Sequence, residues 1–257
     1  MSRDITALPP VPADQRVPYG DAPSQFIDLF NAPTAARRAA VMIHGGYWRA
    51  RYDLLHASHV CSALARQGIS TASLEYRRVG ESGGGWPGTF ADVQAGFAAA
   101  MEHLPGGPVV LGHSAGGHLA LRLAAATANM RAVVALAPVA DLYLAYKLHL
   151  SRDAVVEFLG GTPQQKPRVY EDACASRHAS SVRRLILHGT KDEDVPLELS
   201  RSFVSARHAD PGRVELKELA GATHFDLIDP ESQAWPAVLA AVRELLADGH
   251  ERNSSRS

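Results

Sequence analysis

"PVVLGHSAGGHLA" spans Pro108–Ala120. Its first half is a short apolar run, and its second half opens a stretch rich in Ala and Leu. Between the two, Gly112, Ser114 and Gly116 fit the pattern G-x-S-x-G. A serine on a sharp strand-to-helix turn is crowded by backbone, and flanking glycines leave it room. The same turn exposes the serine oxygen at the end of the strand. The stretch therefore predicts strand, turn and helix, with Ser114 as candidate nucleophile.

The surroundings repeat this rhythm. Short apolar runs lie at 39–45, 70–77, 131–138, 183–190 and 213–220. The middle ones suit strands buried on both faces of a parallel sheet. Between them, Leu54, Ala57, Cys61 and Leu64 recur at helical spacing, and Gly68 follows as a C-terminal stop. Phe90, Val93, Phe97, Met101 and Leu104 make a second stripe, and Val238, Val242 and Leu245 a third. Strand and helix in alternation predict an α/β fold, a mostly parallel central sheet with helices on both faces. "SQFIDLF" at 24–30 reads as an antiparallel edge strand. Residues 1–20 are Pro-rich and patternless, which predicts an extended arm, and 248–257 is a polar tail. Residues 21–247 then form one domain. The 141–182 segment is long for a connection and carries helical fragments, which suits a lid or substrate wall.

Composition narrows the function. The 257 residues carry a formal net charge of -1, which argues against a nucleic-acid partner. The apolar run from Ala132 is broken by Pro138, so no membrane span is expected. The N-terminus has no apolar core of signal-peptide type. Cys61 and Cys174 make neither a disulfide framework nor a metal-site spacing, so a reducing, cytoplasmic setting is expected. His113 and His118 flank the serine turn without an accompanying carboxylate or thiol pattern, so no metal is expected.

A serine hydroxyl needs a base to become a nucleophile at neutral pH. On this kind of turn the partners follow in the order serine, acid, histidine. "LILHGTKDEDVPLE" places Asp192 just past a strand, and "LAGATHFDLID" places His224 in the loop after the next. Asp194, Asp226 and Asp141 remain alternatives for the acid. Loops at the carboxyl ends of parallel strands converge on one crevice. Attack on a carbonyl makes its oxygen negative, and preorganised N–H groups must meet it. The amide of Ala115 is one candidate donor. "VMIHGGYWRA" (Val41–Ala50) supplies the others, the amides of Gly46 and Tyr47, on a loop that Gly45 and Gly46 let pass close to the reacting atom. His44 reads as a structural tie for this loop. Gly45, Tyr47 and Trp48 are expected at the pocket wall. "GESGGGWPG" at 80–88 reads as a flexible loop bordering the pocket.

"HGGYW", "GHSAGGHLA", "HGTKDEDVP" and "GATHFDL", in this order, resemble the α/β-hydrolase fold. More narrowly they resemble the esterase-type kynurenine formamidases, over roughly residues 17–247, with "YGDAPSQFIDLF" matching their first strands. Tyr-Trp after two glycines, in place of a third glycine, is the most specific point of likeness. "LEYRRVGESGGGWPG" departs from lipase-group relatives, which often carry Ala-Pro-Glu there. The resemblance places the family's acid on Asp192 and its histidine on His224. It implies cofactor-independent hydrolysis of a small-molecule substrate, N-formyl-L-kynurenine, to L-kynurenine and formate. A carboxylesterase for short acyl or aryl esters is the alternative, and an inactive binding protein of the same fold is a third. Oligomeric state is left open, a homodimer being one option.

Overall fold

The computed structural model describes residues 4–33 and 37–247. Eight strands build one sheet: β1 (Gln15–Pro18), β2 (Phe26–Phe30), β3 (Arg38–Ile43), β4 (Ile69–Leu74), β5 (Val109–His113), β6 (Ala132–Leu136), β7 (Arg183–Gly189) and β8 (Val214–Leu219). Their spatial order is β1-β2-β4-β3-β5-β6-β7-β8. The β1–β2 and β2–β4 pairs are antiparallel, and the remaining pairs are parallel. The α/β class expected from the sequence is the one observed.

Strand periodicity divides the core into two layers. Ala39, Val41 and Ile43 of β3 face one layer with Val110, Val133 and Ala135, while Ala40 and Met42 face the other with Leu111 and Val134. Side chains alternate across a strand, so a run apolar on every residue is buried on both faces. Helices α2 (Gly88–His103) and α3 (Ala115–Ala126) cover the first layer. Helices α1 (Ser58–Arg66) and α7 (Trp235–Ala247) cover the second, through Val60, Leu64, Val238 and Val242.

The chain runs from β3 through α1 to β4 on one side of β3, then crosses through α2 to β5 on the other side. Strand order therefore reverses beside β3 and β5. Their carboxyl ends form the crevice where ligands bind in open α/β sheets. The glycine loop follows β3, and the serine turn follows β5.

The expected extended arm differs from the structure. Ile5 is fully buried against the second layer, and Gln15–Pro18 adds the outermost strand. The segment has no periodicity because one anchor and one short edge strand leave no repeating face. For the same reason Phe26–Phe30 is antiparallel as expected but is not the edge. The polar tail at 248–257 lies outside the described residues. The 141–182 segment folds as α4 (Leu142–Lys147), α5 (Ala154–Leu159) and α6 (Pro167–Ala173), followed by the 3-10 turn Ala175–Arg177. Among the described residues no helix is long and apolar enough to cross a membrane. Cys61 and Cys174 are both free and buried.

Candidate active site

Ser114 sits between β5 and α3 with φ 56 and ψ -118. A non-glycine residue in so sparsely populated a region costs about 1–3 kcal/mol and persists only where its surroundings enforce it. Those surroundings are visible. The Ser114 amide donates to the Leu136 carbonyl at 2.9 Å, and its carbonyl accepts from Val139 at 3.1 Å. A Cβ at Gly116 would collide with the carbonyl oxygens of Ile43 and His44, and one at Gly112 with the Gly116 carbonyl. Both glycines of the motif are there because backbone from β3 and α3 passes where side chains would stand.

His224 lies after β8, and its Nδ1 contacts Asp192 Oδ2 at 2.7 Å. Asp192 follows β7 and is held on every side. Its Oδ1 accepts from the amides of Asp194 at 3.0 Å and Val195 at 2.8 Å. Its Oδ2 also faces His188 Nε2 at 3.3 Å. Burial pushes the Asp192 pKa up, but the bonds from His188 and His224 more than reverse this and keep it ionised. His188 itself is fully buried, with Nε2 on the Val195 carbonyl at 2.8 Å and Nδ1 on Ser200 Oγ at 2.7 Å. A carbonyl only accepts, so Nε2 carries a proton and is a donor toward Asp192.

Of the alternative carboxylates, none meets the imidazole. Asp141 caps α4, accepting from the amides of Tyr143 and Leu144 and from Ser202 Oγ. Asp226 accepts from the Thr223 amide at 2.8 Å. Asp194 offers its carbonyl to the Tyr47 hydroxyl at 2.6 Å. His113 braces the histidine loop instead, with Nε2 donating to the His224 carbonyl at 3.2 Å and the rings 4.4 Å apart. His118 points the other way, with Nε2 on the Ala173 carbonyl at 2.9 Å. Among the described residues no cluster of three or more His, Cys, Asp or Glu is placed to hold a metal ion.

Ser114 and His224 line one cavity of about 1020 Å³ with Gly46, Tyr47 and Phe225. No hydrogen bond joins the serine hydroxyl to the imidazole among the described residues. The amides of Gly46, Tyr47 and Ala115 likewise donate to no described residue, so they are available to a ligand. Gly46, Tyr47 and Trp48 take φ of 109, 50 and 58, a left-handed run that turns the loop across the end of β5.

Two wall residues expected from the sequence are placed elsewhere. Trp48 is 1% exposed and stacks on Phe158 of α5, with centroids 4.4 Å apart and planes at 6°. The left-handed run turns its ring into the core, where apolar area is better buried than displayed. Gly45 packs against the serine turn, where a Cβ would stand 3.0 Å from both the His113 carbonyl and Ser114 Cβ. It is a spacer, not a lining residue. The 80–88 loop does not border the cavity either. Its Gly84 is pressed onto the Arg78 carbonyl, and Trp86 packs on Phe90 and Phe158.

Sequence reasoning missed several residues. Arg49 bonds both Glu157 oxygens at 2.8 Å and Ser151 Oγ at 3.0 Å, fastening the glycine loop to the 141–182 wall. Asp4, Tyr52, His56 and Arg152 also line the cavity. No local pattern marks them, because each comes from a different part of the chain. His44 is a tie, as expected, but no sequence signal points to its partner, Glu75. Their contact is 2.8 Å long, with the side chains 0% and 2% exposed. Glu75 stands one residue past β4, in "LEYRR", and only the β3–β4 pairing brings it to His44.

Several known proteins of similar sequence or shape are named esterases. Esterase LipC of Mycobacterium tuberculosis is 32% identical over 248 residues, covering 84% of this chain and 60% of that protein. The isoprenylcysteine alpha-carbonyl methylesterase ICME of Arabidopsis thaliana is 26% identical, covering 81% and 56%. The chain thus spans about 60% of the length of these relatives. Esterase B of Lactobacillus rhamnosis superposes with a TM-score of 0.80 at 18% identity, covering 98% of this chain and 92% of that one. The propionate-bound Est2 esterase of Thermogutta terrifontis gives 0.71 at 22% identity, covering 92% and 94%. These structural likenesses establish the α/β-hydrolase fold. The BD-FAE family matches residues 27–206, across the glycine loop, the serine turn and the Asp192 loop, and the chain belongs to that family.

Proposed function

We propose that the protein is a serine carboxylesterase acting on short acyl esters whose alcohol part is polar. The observation behind this is the strained Ser114 sharing one cavity with a His224 whose far nitrogen is bonded to buried Asp192. Ser114 Oγ attacks the ester carbonyl as His224 Nε2 takes its proton. Asp192 fixes the imidazole with Nδ1 protonated and stabilises the imidazolium. The amides of Gly46, Tyr47 and Ala115 receive the oxyanion. His224 returns the proton to the departing alcohol oxygen. Water, deprotonated by the same histidine, then releases the acid from the acyl-serine. No cofactor takes part in these steps.

The cavity wall supports a polar leaving group. Arg51, Arg152, Lys191, Glu193 and Thr223 line it, beside the rings of Tyr47, Tyr52 and Phe225. A long acyl chain packed beside these charged groups would strip them of water without replacing their hydrogen bonds. Hydrolysis of p-nitrophenyl acetate, butyrate and octanoate tests the reading. Turnover should fall steeply with chain length, and a fluorophosphonate should label Ser114. Failure of both turnover and labelling would leave an inactive binding protein of this fold.

A second reading is favoured by "HGGYW" at 44–48, the formamidase hydrolysis of N-formyl-L-kynurenine. The same residues would release L-kynurenine and formate, with His224 protonating the arylamine nitrogen. The relatives and solved neighbours are named esterases, which favours the ester reading. The kcat/KM ratio of N-formylkynurenine to p-nitrophenyl acetate separates the two.

A further inference from the structure

We propose that His44 is a positioning residue that acts as a buried imidazolium, polarising the peptide between Gly45 and Gly46 so that the Gly46 N–H becomes a stronger oxyanion donor. This rests on the esterase reading for the role of that amide. The charge itself follows from hydrogen-bond accounting. His44 Nδ1 faces the Gly45 carbonyl at 2.8 Å, and a carbonyl only accepts, so Nδ1 carries a proton. Nε2 faces Glu75 Oε1 at 2.8 Å. That carboxylate already accepts from the Tyr76 amide at 2.9 Å and the Leu54 amide at 3.0 Å, and Arg78 stands 3.5 Å from it. Two amide donors and a nearby guanidinium hold Glu75 ionised, and an ionised carboxylate has no proton to give. Nε2 is therefore a donor too, and a histidine donating from both nitrogens is charged.

The position of the charge gives it a use. The carbonyl it bonds belongs to the peptide whose other end is the Gly46 N–H, and that N–H donates to no described residue. Pulling electron density toward the carbonyl oxygen acidifies the N–H across the same peptide, as in any hydrogen-bonded chain. The pair is shut from solvent, so the polarisation is not screened. The two rings that pack on it are consistent with this role. Tyr76 stacks at 4.4 Å and donates its hydroxyl to the His44 carbonyl at 2.9 Å. His56 meets it edge-on at 5.8 Å, with its own pKa pushed down to about 3 by burial, so it stays neutral and does not repel the imidazolium.

Two variants and one spectrum test the proposal. His44→Asn keeps an N–H directed at the Gly45 carbonyl but carries no charge. Glu75→Gln leaves the ring in place and removes the counter-ion. For p-nitrophenyl acetate each should lower kcat about tenfold, below the 10²–10³ of losing a donor outright, with KM nearly unchanged. The double variant should be no worse than the more affected single one. Nitrogen NMR of the wild-type protein at pH 7.5 should show one histidine with both ring nitrogens protonated, absent in His44→Asn. This readout needs no turnover, so it stands apart from the fate of the esterase reading. A neutral His44 in the spectrum, or folded variants with unchanged kcat, overturns the proposal. So does an effect confined to KM.

Discussion

Replacing Asp192 by Asn probes the site with little change in shape, and the structure dictates how the new side chain must sit. Asp192 Oδ1 accepts two backbone N–H groups, from Asp194 and Val195. An amide NH₂ turned toward them would oppose donor to donor. The two amides on that side outweigh the single, longer His188 Nε2–H contact of 3.3 Å on the other, so the Asn carbonyl stays with them and its NH₂ turns to His224 Nδ1, 2.7 Å away in the native protein. Nδ1 then has to accept, which moves the imidazole proton to Nε2. A protonated Nε2 has no lone pair for the Ser114 proton. The expected loss is about 10⁴-fold in kcat, or about 5 kcal/mol of transition-state stabilisation, with KM little changed. His188 keeps its bond to the Val195 carbonyl, so the fold should persist. Steady-state hydrolysis of p-nitrophenyl acetate, with a thermal melt as control, measures this. Asp141→Asn, at a helix cap, should cost less than threefold. A loss under about tenfold for Asp192→Asn, or the reverse ranking of the two variants, would refute the assignment of the acid.

Ser114→Ala should abolish turnover and phosphonate labelling while leaving the melting temperature nearly unchanged, because Ser114 Oγ forms no hydrogen bond among the described residues. Gly116→Ala drives a Cβ into the Ile43 and His44 carbonyls, so it should lower stability by about 3 kcal/mol or more, read by urea unfolding. Trp48→Ala should act on stability first, by about 3–5 kcal/mol, since the ring is buried on Phe158; a change confined to substrate preference would return it to the pocket wall. His113 and His118 are held neutral by burial, His118 with its pKa pushed down to about 4. Their folded values lie below the unfolded value of about 6.5, so as pH falls the unfolded chain takes up protons first. Stability should be full above about pH 6.5 and should drop below it by up to about 1.4 kcal/mol per pH unit for each histidine. His118→Gln should flatten that slope in melts taken from pH 7 to 4.

The sheet and the serine turn are legible in the residues alone. Runs such as Val109–Leu111 and Ala132–Leu136 are apolar at every residue, and such runs have few solutions other than a sheet covered on both faces. Gly112 and Gly116 fix the turn because the constraint they relieve is local. The order of serine, acidic loop and histidine is also readable, since each closes a strand. The choice among Asp192, Asp194, Asp226 and Asp141 is not. All four are short acids beside turns, and only the packing of the loops after β7 and β8 brings one of them to the His224 ring. Tertiary packing also selects which aromatic faces the cavity. Tyr47 and Trp48 are neighbours in sequence with similar φ, yet one lines the site and the other is core, because α5 offers Phe158 as a partner. The burial of Ile5 and the His44–Glu75 pair belong to the same class. Local periodicity records which face a residue presents. The partner that meets that face comes from distant chain and is set only when the sheet closes its layers.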